Sequence, residues 1–113
     1  MRYFEEIAKM FDATLSNPAR DVYSSVPNSS YKIWLPWLDG HQHGKWLNEW
    51  DYDKGEIQEI NEKALFDAHA ELEIQDNEMR LVWGNFADGP RFLGVFQYQQ
   101  SRSKQGIRIY KRV

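Results

Sequence analysis

Two histidines one residue apart, His41 and His43, follow Asp39 in the run LDGHQHGKW. Imidazole and carboxylate together make the donor set of zinc, nickel or non-haem iron sites. Gly40 and Gly44 bracket the run as a turn, and the third histidine, His69, is distant in sequence. The run therefore reads as a solvated turn, and neither a metal nor a cofactor is expected. Other chemistries lack their residues. There is no cysteine nucleophile, no glycine-rich phosphate loop and no HExxH helix. Carboxylates recur in pairs, Asp51 with Asp53 and Glu71 with Glu73. General acid–base work needs one desolvated carboxyl with a shifted pKa, and no neighbouring residue selects one. The expectation is a protein that is not an enzyme.

Recognition is better supplied. Residues 31–52, YKIWLPWLDGHQHGKWLNEWDY, hold four of the five tryptophans: Trp34, Trp37, Trp46 and Trp50. Aromatics at this density either fill a core or anchor an interface. Charge is divided along the chain. Residues 49–78 carry eleven acids against Lys54 and Lys63, a net of −9, whereas residues 79–113 carry seven bases against Asp88, a net of +6.

Two readings follow. In the first, the chain is a small non-catalytic, regulatory module that binds a basic protein partner through Trp46, Glu49, Trp50, Asp51, Asp53, Asp67, Glu71 and Glu73. Its sharpest form is an inhibitor whose acidic surface occupies the basic groove of a nucleic-acid-handling protein, mimicking DNA. In the alternative, the chain itself binds nucleic acid through the basic and aromatic last strands, using Arg80, Arg102, Lys104, Arg108, Tyr110, Lys111 and Arg112. Sheet surfaces of this kind hold single strands and splayed bases, and the tryptophans could cage a base. Against the alternative, phosphate is repelled wherever the acidic segment comes near.

The elements that would position these residues come from periodicity. At 113 residues the chain is one domain, 1–113. Tyr3, Phe4, Ile7, Ala8, Phe11 and Leu15 form one apolar stripe, predicting an amphipathic helix that ends before Pro18. Residues 24–30 read as loop, 31–35 as a short strand and 56–63 as a short helix. From 66 to 74 apolar and polar residues alternate without a break. Asp76 and Asn77 then suit a two-residue turn, since both tolerate positive φ.

The pattern predicts a four-stranded antiparallel meander at 66–75, 78–86, 91–100 and 105–113. Its register sets Leu81 opposite Phe96 and Phe96 opposite Ile109, with Phe66, Leu72, Ile74, Trp83, Tyr98 and Ile107 on the same core face. The fold class expected is α+β, the N-terminal helix packed on a twisted sheet. Residues 31–35 would add a fifth strand and draw the sheet toward a partly open barrel. No apolar run approaches the about 18 residues of a membrane span, and the lack of cysteine fits a reducing compartment, so a cytoplasmic location is expected.

Overall fold

The computed structural model describes residues 22–25, by their backbone alone, and residues 31–113 except 73. Seven strands form one hydrogen-bonded sheet: β1 (Val22–Ser25), β2 (Tyr31–Trp34), β3 (Trp46–Asp51), β4 (Glu56–Asn61), β5 (Met79–Phe86), β6 (Gly89–Tyr98) and β7 (Ile107–Arg112). Their spatial order is β1-β2-β5-β6-β7-β4-β3. β2 runs parallel to β5 and every other pairing is antiparallel, so the sheet is mixed, with β1 and β3 at its edges.

One α-helix lies among the described residues, α1 (Glu62–Phe66), followed by a 3-10 turn at Ala68–Ala70. Asn61 caps the helix, its side chain accepting from the Ala64 amide at 3.2 Å, and Asp67 caps the 3-10 turn through the His69 amide at 3.0 Å. No helix among the described residues is long and apolar enough to cross a membrane.

This architecture corrects the expected α+β fold. The predicted helix over 3–15 lies outside the described residues, and no helix covers the sheet among those that are described. The first predicted meander strand, 66–75, does not form. Its alternation competes with Glu62, Lys63, Ala64 and Leu65, all good helix formers, and with two side-chain caps that satisfy otherwise orphaned amides. Phe66, expected in the core, is 86% exposed. The predicted helix at 56–63 is instead β4 running into α1. The turn at Asp76 and Asn77 does form, with Asn77 at φ 59°, but it links an irregular segment to β5 rather than two paired strands.

The last three strands of the meander are present in a different register. The β5–β6 turn is the pair Ala87 and Asp88, with Gly89 at φ 120° pairing Phe86. An extra residue, Leu93, bulges from β6 before Gly94. Arg80, and not Leu81, therefore lies opposite Phe96. Tyr98 pairs Tyr110 and Phe96 pairs Arg112, displaced by three residues from expectation, because residues 99–106 spend a 3-10 turn and a Ser103 hydrogen bond to the Ile109 amide. An odd shift of one strand against the next changes which of its side chains share a face with that neighbour, so Arg80 and Tyr110 join Phe96 and Tyr98. The core consists of Trp34, Leu38, Ile57, Val82, Phe96, Tyr98 and Tyr110, with Trp50, Ile74, Phe86 and Leu93 packed against it.

Candidate nucleic-acid interface

Register decides which charged residues are available. Arg80 is 2% exposed and sits between two rings, its guanidinium 4.7 Å from the Trp34 centroid and 4.6 Å from that of Tyr110. Its Nε donates to Glu78 at 2.8 Å, Glu59 Oε2 lies 3.9 Å from Nη1, and Lys32 pairs the other Glu78 oxygen at 2.9 Å. Burial alone would lower the Arg80 pKa, but Tyr110, Glu59 and Glu78 more than offset it, and the guanidinium is held firmly charged. The Tyr110 hydroxyl donates to Glu59 at 2.9 Å. Arg108 is half-buried, donating to Glu71 at 3.2 Å and to the Leu72 carbonyl.

Of the residues expected on a phosphate-binding face, Arg80 and Tyr110 are thus interior and Arg108 is half-buried and engaged. The corrected register points them inward, where a cation is tolerated only with carboxylate and ring partners. Arg102 is engaged by Glu56, at 2.5 and 3.0 Å. Lys104, Lys111 and Arg112 remain exposed, the last 5.7 Å over the Trp50 ring.

The residues expected to meet a basic partner are also dispersed. Glu49, Asp51 and Asp53 are exposed around a groove of about 440 Å³ at the β3–β4 hairpin, beside Tyr52, which is 79% exposed. Trp46 and Trp50 are half-buried, and Trp50 packs edge-on to Phe96 at 5.8 Å. Asp67 is a capping residue, and Glu71 binds Arg108 and the Gly106 amide. Glu73 lies outside the described residues. The carboxylate band expected along 67–73 has no strand to carry it.

The other end of β3, roughly 17 Å away for a six-residue strand, is built differently. Beyond β2 the chain stays buried through Leu35 and Pro36 and is pinned to the end of β5, with the Asn85 amide donating to the Pro36 carbonyl at 2.8 Å and the Leu38 amide to the Asn85 carbonyl at 2.9 Å. Leu38 enters the core. The chain then reverses through Gly40 and Gly44, both at positive φ.

Within this loop Asp39 accepts from the His41 amide at 3.0 Å and from His43 Nε2 at 2.9 Å. The His43 ring lies flat on Trp37, centroids 4.6 Å apart and planes 15° from parallel. Burial alone would raise the Asp39 pKa; the His41 amide and His43 more than offset it and hold the carboxylate below its ordinary range. The loop therefore presents a half-buried indole, an ionised acceptor, and exposed His41 and Gln42. Sequence spacing singled out the two histidines and read them as a solvated turn, whereas His43 is held between the Asp39 carboxylate and the Trp37 ring. Among the described residues no group of three or more His, Asp or Glu could hold a metal ion.

Fold and loop define a small mixed-sheet domain with a ring-and-carboxylate loop at one end. The chain belongs to the SRA (SET and RING associated domain) family, whose model matches residues 2–113. No curated protein is significantly similar to it in sequence. Among solved structures it is similar to "The 5-Hydroxymethylcytosine-Specific Restriction Enzyme AbaSI", with a TM-score of 0.73 and 19% identity over 96% of this chain and 36% of that one. That likeness is one of fold, and the chain spans about a third of the enzyme's length. Membership of the family overturns the reading as a protein-binding inhibitor that mimics DNA: SRA domains bind DNA, and neither comparison supports a basic protein partner.

Proposed function

We propose that this chain is a DNA-binding module that reads a modified cytosine, with residues 37–43 as the base-contacting loop. The observation that carries the reading is the arrangement Trp37–His43–Asp39, the His43 ring stacked on Trp37 and hydrogen-bonded to the Asp39 carboxylate, at one end of an SRA-family sheet. A carboxylate accepts from the N4 amino group of cytosine, and an indole supplies the stacking surface. Stacking on the indole at the same time requires that the base leave the duplex stack or be already unpaired. Cytosine modification as the feature read is supported by the fold neighbour, described as 5-hydroxymethylcytosine-specific. The proposal assigns binding, with no chemical step, to this chain and keeps the expected cytoplasmic location.

The test is fluorescence anisotropy with matched duplexes carrying cytosine, 5-methylcytosine or 5-hydroxymethylcytosine at one site. One modified duplex is expected to bind tighter than the unmodified one, with affinity falling steeply as salt rises. Asp39→Asn should weaken binding of all three duplexes by about 5- to 150-fold, the range of one good base-edge contact, because the N4 amino group is common to the three bases. No binding to any duplex at low salt, equal affinity for all three duplexes, or wild-type affinity in both Asp39→Asn and Trp37→Ala overturns the reading.

A further inference from the structure

Beside the 37–45 loop lies a second concavity. α1 follows β4 directly, and the Glu62 amide donates to the Lys45 carbonyl at 2.8 Å, so the helix stands against the loop's C-terminal end. Between them is an open cavity of about 510 Å³, within the range of small-ligand sites, bordered by Gln42, Lys45, Glu62, Lys63, Phe66 and Asp67. Phe66 is the most exposed large apolar side chain among the described residues, at 86%. It adds nothing to the core, and an exposed ring in a concave, largely apolar site is a recognition feature.

The rim charges are not equivalent. Glu62 is hydrogen-bonded by Gln42, and Asp67 is occupied by the His69 amide. Lys45 and Lys63 have no acidic partner among the described residues, and the Lys45 ammonium lies 5.3 Å over the Trp46 ring. An unshared ring flanked by two available ammonium groups matches a nucleotide, with base on ring and phosphate on lysine.

From these observations we infer a second nucleotide site, in which Phe66 stacks an unpaired or splayed base and Lys45 and Lys63 bind the phosphates on either side of it. The inference rests on the DNA-binding reading and extends it to the neighbouring nucleotide. Strand contact then belongs to the loop end of β3, since the hairpin end is lined by Glu49, Asp51 and Asp53.

The test uses the full chain and a duplex carrying a 2-aminopurine next to the modified cytosine. Phe66→Ala should weaken binding about 5- to 150-fold, the range for one stacked base, and should abolish quenching of the 2-aminopurine, while Phe66→Tyr restores both. Lys45→Gln and Lys63→Gln should each lower the slope of log affinity against log salt by about 0.7–0.9, whereas Phe66→Ala leaves that slope unchanged. Wild-type affinity and quenching in Phe66→Ala overturn the second site and leave the DNA-binding reading intact. Absence of DNA binding by the wild-type chain overturns both. Weakening by Phe66→Ala that Phe66→Tyr does not restore also counts against stacking.

Discussion

Replacing Arg80 by Met probes how the interior tolerates charge. Methionine fills most of the space between Trp34 and Tyr110 but removes the cation that both rings and Glu78 face. Breaking a buried ion pair costs about 3–5 kcal/mol when the remaining charge is left alone. Here neither acid is fully orphaned: Glu78 keeps Lys32 at 2.9 Å, and Glu59 keeps the Tyr110 hydroxyl at 2.9 Å. The loss should therefore fall near the lower end, about 3 kcal/mol, a large part of the 5–15 kcal/mol that typically holds a domain together. Urea unfolding followed by tryptophan fluorescence should show the midpoint moving down by roughly 1–3 M with the slope unchanged. Adding Glu78→Gln to Arg80→Met should recover about 1 kcal/mol or more, because it removes a buried carboxylate left with Lys32 as its remaining cation. A loss below about 1 kcal/mol for Arg80→Met, or a further loss on adding Glu78→Gln, would refute the ion-pair account.

Gly106→Ala should destabilise by about 2–4 kcal/mol, since Gly106 is at φ 78° and an added Cβ would come within 2.7 Å of the Leu65 backbone nitrogen; urea midpoints measure this, and a change under 0.5 kcal/mol contradicts the close approach. Burial, and then Glu59, raise the Tyr110 pKa well above its ordinary value, so the native state holds that proton more tightly than the unfolded state does. This contribution is complete below pH about 10 and is lost as pH rises through the raised value. Alkaline unfolding titrations should be less steep in Tyr110→Phe, and equal slopes would argue against it. Arg102, through its hydrogen bond, lowers the Glu56 pKa, so that contribution is present above the unfolded value of about 4.3 and disappears as pH falls through the lowered one. Glu56→Gln should flatten the acid limb of the stability profile, and an unchanged limb would remove that pair from the account.

Much of the local structure was legible because it depends on neighbours in sequence. Alternation placed strands close to β5, β6 and β7, turn chemistry placed Asn77 at positive φ, and the 31–35 run placed β2. Element type failed at 62–70, where good helix formers after the cap Asn61 run straight into the period-2 pattern that begins at Phe66, and Asp67 caps a further turn within it. Of the candidate site, the aromatic loop was visible as a composition. Its working geometry was not, since the contact of His43 with Trp37 depends on where β5 pins Leu38.

The pattern of hydrophobic and charged residues determined that the chain forms a sheet with turns at given places. Only the tertiary structure decided which face of each strand is inside. A bulged residue at Leu93 and a compact turn after Gln99 are invisible to periodicity, yet together they bring Arg80, Arg108 and Tyr110 onto the face that carries Phe96 and Tyr98, while Leu81, on the other face, is buried as well. The arrangement is sustained because the inward charges meet partners, Glu78 and Glu59 for Arg80 and Glu71 for Arg108, that lie far away along the chain or pair only in this register. A side chain's own character predicts burial only when its environment is indifferent, and here ion pairs and ring faces reverse what the sequence alone implied.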